Sequence, residues 1–107
     1  MLAMTAARNA LAQLEYDASP ANIDLIVSGV AHALAEDATG DSRQFVRMLD
    51  TAPSNSWLPV ERKRRRAYLD AFDAAYSPLT HIERDLPALR RFLAHIADGG
   101  QPLAAAS

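Results

Sequence analysis

The 107-residue sequence predicts an all-α fold, a single-domain bundle of four to five helices with the last helix kinked or broken near Pro87. Three observations carry this. Val, Ile and Thr, the side chains best suited to a pleated sheet, number only 12, whereas alanine alone accounts for 22 of the hydrophobic residues. Apolar residues recur at three- and four-residue spacing through most of the chain. Ser-Pro, Thr-Gly and Gly-Gly punctuation falls where that spacing lapses.

Taken in order, Met4, Ala7, Leu11 and Leu14 form one face of a first helix, which ends before Asp17-Ala18-Ser19-Pro20. Ser19 then serves as N-cap and Pro20 as first helical residue, where a missing N–H has no cost. The second helix runs from Pro20 to about Asp37 with Ile23, Ile26, Val27, Val30 and Leu34 inward, and Thr39-Gly40 stops it. Gly29 within it costs about 1 kcal/mol relative to alanine, which is explained if another helix approaches closely over Ser28, Gly29 and Ala33. A short third helix is expected after Asp41 or Ser42, using Phe45, Val46 and Leu49. The turn-rich stretch from Thr51 to Ser56 is short enough to join parts of one domain.

A fourth helix is expected from Leu58 or Pro59 to Tyr76, with Val60, Ala67, Tyr68, Ala71, Phe72, Ala75 and Tyr76 apolar and Ser77-Pro78 as its end. Beyond it, Leu79, Ile82, Leu86, Leu89, Leu93 and Ile96 repeat at alternating three and four, and Thr80 with Glu83 has the spacing of a capping box. Pro87 interrupts that pattern. It predicts a short helix near residues 78 to 85, a kink or break, and a helix to Ala97 closed by Gly99-Gly100. Residues 1–100 then make the domain and residues 101–107 a flexible tail.

Composition removes several function classes. With no cysteine, the chain is not a disulfide scaffold, a thiol enzyme or a cysteine-ligated metal module. The N-terminus lacks the basic start and apolar run of a secretory signal, and the uncharged run from Leu25 to Ala35 is too short to span a bilayer. A cytoplasmic location without a membrane partner is therefore expected.

The strongest chemical signal is Glu61-Arg62-Lys63-Arg64-Arg65-Arg66. Five consecutive cations cover every azimuth of a helix at about 100° per residue, so one solvated face cannot hold them all. They also fall in the opening turns of a helix, where the macrodipole disfavours positive charge. Pairs such as Glu61 with Arg65 or Arg66 with Asp70 recover only about 0.2–0.5 kcal/mol each. The formal charge of -2 hides an asymmetry: residues 1–56 carry three basic and seven acidic side chains, residues 57–107 eight and six.

Trp57, the only tryptophan, precedes this cluster, either as a hydrophobic clamp on the helix start or as an exposed anchor. The partner-binding candidates are accordingly Trp57, Arg62, Lys63, Arg64, Arg65 and Arg66. The expected function is a non-enzymatic protein-binding module, an adaptor, accessory subunit or inhibitor, that engages an acidic protein surface. One alternative is a nucleic-acid-binding regulator using the same arginines on phosphates; an acidic balance and the lack of a base-reading helix face weigh against it. The other is a solvated basic turn whose arginines pair with carboxylates elsewhere in the chain. So alanine-rich a bundle is also compatible with a homo-oligomer.

No catalytic, cofactor or metal site is expected. Asp24, Ser28 and His32 share a helix line, but successive members sit about 6 Å apart along the axis and cannot converge as a triad. His32 and Glu36 could begin a metal site, yet His81, His95, Glu83 and Asp98 supply no diagnostic spacing for further ligands. His32 and His95 are expected to be half-exposed helix residues, and Glu36 with Asp37 a solvated face or a source of caps and ion pairs. No glycine-rich phosphate loop is present.

Overall fold

The computed structural model describes residues 2–40, 47, 51, 55 and 57–100, and all regular structure among them is helical. Four helices follow one another: α1 (Leu2–Tyr16), α2 (Pro20–Thr39), α3 (Pro59–Ile82) and α4 (Leu86–Ala97). The short helix expected in the forties and the tail at 101–107 lie outside the described residues, except that Arg47 and Thr51 are helical.

Between α1 and α2 the chain turns as its sequence dictates. Ser19 is extended, its hydroxyl accepts from the Asn22 N–H at 3.4 Å, and Pro20 opens the helix. The three-residue connection forces α1 and α2 antiparallel. Asp37 at the end of α2 then meets the start of α1, accepting from the N–H groups of Leu2 at 3.2 Å and Ala3 at 3.0 Å. A carboxylate thus satisfies two of the amides that an α-helix leaves open at its N-terminus. Gly40 closes α2 at φ 72°, a left-handed conformation that glycine adopts without strain.

One core serves all four helices. Leu14 of α1, Val27 and Val30 of α2, Leu79 of α3, and Leu89, Leu93 and Ile96 of α4 are all fully buried. Ala3, Ala7 and Ala10 line the inner face of α1, so α2 and α4 can pack against it on either side. α2 packs most extensively on α3, whereas α3 and α4 touch little beyond their connection.

Several expectations need correction. Ser77-Pro78 does not end α3, which continues to Ile82. Pro78 removes one backbone donor, but Leu79 next to it is wholly buried, and that burial carries the helix through. Thr80 is consequently inside the helix, where its hydroxyl donates to the Ser77 carbonyl at 2.8 Å and no capping box with Glu83 forms. The cap is Asp85 instead: its carboxylate accepts from the Ala88 N–H at 3.2 Å, and Pro87 stands in the first turn of α4. The break expected near Pro87 does occur, at Glu83–Asp85, but it follows the long α3 rather than a separate short helix, and Pro87 does not kink α4 from within. Gly29 is not covered by another helix: a methyl group there would meet nothing within 4 Å. Val60, expected on the apolar side of α3, is 56% exposed.

Candidate binding surface at the start of α3

Leu58 is extended and Pro59 is the first residue of α3, so the chain enters this helix with the same proline device as α2. Glu61 reaches back to accept from the Leu58 N–H at 3.0 Å. Its carboxylate is thereby committed to the helix start, where a negative charge is favourable, rather than to Arg65 as its spacing had suggested.

The five cations divide by azimuth. Arg62, Lys63, Arg64 and Arg66 are exposed, and only Arg65 is half-buried. Its guanidinium carbon lies 5.0 Å from the Trp57 ring centroid, a cation–π contact of about 0.5–1 kcal/mol. Trp57 is itself 5% exposed, so the structure places it as the clamp, covered by Arg65, and not at the surface. Arg62 donates to the Asn55 carbonyl at 3.5 Å, and Arg66 pairs with Asp70 at 3.6 Å on a well-solvated face. Of the two ion pairs that spacing suggested for this segment, Arg66–Asp70 is the one that forms, and at that exposure it is worth little.

None of the residues from Pro59 to Ala67 is buried; the first buried residue of α3 is Tyr68. With 24 residues at about 1.5 Å each, α3 is roughly 36 Å long, against a longest molecular dimension of 43 Å. Its opening turns therefore carry cations and no buried residue of their own, their inward contact being that of the half-buried Arg65 with Trp57.

Tyr68 begins the docked part of α3, against Ala35 of α2, and there the sequence reading missed a polar cluster. The Tyr68 hydroxyl lies 2.6 Å from Nδ1 and 2.8 Å from Nε2 of His32, and Phe72 meets the same imidazole edge-on at 6.1 Å. His32 Nε2 is 3.7 Å from Glu36 Oε1. The His32 side chain is 41% exposed, as expected, but that of Glu36 is only 3% exposed. Glu36 is thus a buried carboxylate and not part of a solvated face. Its Oε1 has no hydrogen-bond partner among the described residues. The signal available in the sequence was its setting, since Ala33 and Ala35 beside it pull that turn of α2 inward.

A cleft of about 420 Å³ opens where α3 and α4 diverge, between Ala3 and Met4 of α1, Leu34 of α2, Ala75 of α3 and Ile96 of α4. Asp37 is its only ionisable side chain among the described residues, and it already caps α1. No group of three or more His, Asp or Glu residues suited to a metal ion occurs among the described residues. None of the described helices is long and apolar enough to cross a membrane.

No family model, no curated protein and no solved structure matches this chain. Its functional reading rests on the chemistry of its own residues.

Proposed function

We propose that the chain is a non-enzymatic, cytoplasmic protein-binding module that engages an acidic partner through the start of α3. The observation that carries this is the exposure of Arg62, Lys63, Arg64 and Arg66 on turns of α3 that contain no buried residue. Cations placed against the helix dipole and outside the core do little for folding. Facing carboxylates, they accelerate encounter and fix orientation. Trp57 and Arg65 act from beneath, holding the helix start in place, so truncating Trp57 weakens binding indirectly.

Binding of labelled polyglutamate and of labelled duplex DNA, followed by fluorescence anisotropy at about 50 mM salt, tests the reading. Polyglutamate binding that is abolished by Arg62→Glu with Arg64→Glu supports it. Binding of DNA alone, lost in the same variant, would transfer the cluster to the nucleic-acid reading. Absence of both would leave the arginines as a solvated helix start and end the proposal.

A further inference from the structure

Five large apolar side chains are exposed among the described residues, and four of them sit in segments where one sign of exposed charge dominates. Tyr16 is 93% exposed and Leu25 71%, at the end of the bundle where α1 turns into α2, among the exposed acids Glu15, Asp17 and Asp24. Leu58 and Val60 are 63% and 56% exposed, ahead of Arg62, Lys63 and Arg64, with the intervening Glu61 committed to the Leu58 N–H. Isolated apolar residues on a surface need no explanation. Two clusters that pair apolar groups with opposite charge are complementary in both respects.

Gly29 strengthens the case at the acidic cluster. It lies one turn beyond Leu25, with Ser28 exposed beside it, and a methyl group at Gly29 would touch nothing. The helix bears the conformational cost of a glycine for which the chain's own packing gives no reason. Small residues beside an exposed leucine leave room for a second helix to come close.

We infer that the acidic partner is a second copy of this chain. The outer face of α2 around Leu25, bordered by Glu15, Tyr16 and Asp24, receives the start of α3 from the other copy. The partner subunit's Leu58 and Val60 cover Leu25, and its Arg62 and Arg64 face the carboxylates. The two surfaces differ, so the contact is heterologous: copies add head to tail, and the series closes into a ring or extends. This inference rests on the reading of the α3 start as a protein-binding surface.

Sedimentation velocity of the full chain, from micromolar to sub-millimolar concentration at low and high ionic strength, provides the test. Association that grows with concentration and weakens with salt is expected. Leu25→Glu, and separately Arg62→Ala with Arg64→Ala, should each weaken it by about tenfold or more. An equimolar mixture of the two variants should recover a one-to-one dimer, because each retains the face the other lacks. All three positions are exposed, and circular dichroism verifies that the helices remain. A wild type that stays monomeric, association indifferent to either variant, or variants that fail to complement would each overturn the inference. A monomeric wild type that still binds polyglutamate would overturn self-pairing alone and leave the broader binding reading intact.

Discussion

Glu36 shows how one side chain can be misplaced by pattern and placed by packing. Its carboxylate is buried with one oxygen lacking a hydrogen bond, and the histidine 3.7 Å from that oxygen is half in water. Exchanging a buried polar group for an apolar one of similar size is neutral to stabilising when no buried partner is orphaned. His32 is hydrated enough to lose Glu36 without that penalty. Glu36→Leu should therefore raise unfolding free energy by about 1 kcal/mol, seen as a higher urea midpoint at unchanged m-value; a lower midpoint would mean that the carboxylate stabilises the fold. Trp57 is the opposite case. Its type and position marked it for attention, but only the position of Arg65 over its ring distinguishes clamp from anchor.

At the scale of the element, the entries to α2 and α3 and the ends of α1, α2 and α4 were legible, whereas the end of α3 and the cap of α4 were not. Ser19-Pro20 and Pro59 act over one turn, so sequence reading located both helix starts. Pro78 is a local breaker as well, yet the burial of Leu79 overrides it. Pro78→Ala would give the Ala74 carbonyl its helical donor back and should stabilise the protein by about 1–3 kcal/mol. A loss of stability on thermal unfolding would show instead that the core needs the bend. Gly29→Ala, in open space inside α2, should add about 1 kcal/mol to monomer stability in chemical denaturation. Asp37→Ala should cost about 1 kcal/mol, since it uncovers the first amides of α1. That pairing joins residues more than thirty positions apart in the chain and leaves no local signature.

For the molecule as a whole, α1 is the keystone. It packs on both α2 and α4, while α3 and α4 hardly meet except where the chain joins them. Deleting residues 2–16 should therefore abolish cooperative unfolding, observed as loss of the sigmoidal transition in denaturant. A retained sharp transition would show that α2, α3 and α4 suffice as a core. The charge asymmetry also belongs to this scale. Among the described residues the exposed acids Glu15, Asp17 and Asp24 lie around the α1–α2 connection and the exposed cations Arg62, Lys63, Arg64 and Arg66 at the start of α3, whereas Glu36 is buried and Asp37 caps α1.

Helical class, the entries into α2 and α3, and the basic run at 62–66 were determined by the sequence alone. Propensity, capping and charge operate within a turn or two, and a linear reading spans that range. The length of α3, the burial of Glu36, the covering of Trp57 and the openness of Gly29 were decided only by tertiary structure. Each depends on what lies across from a residue, and burial of apolar surface against a distant helix outweighs the few tenths to one kcal/mol of most local preferences.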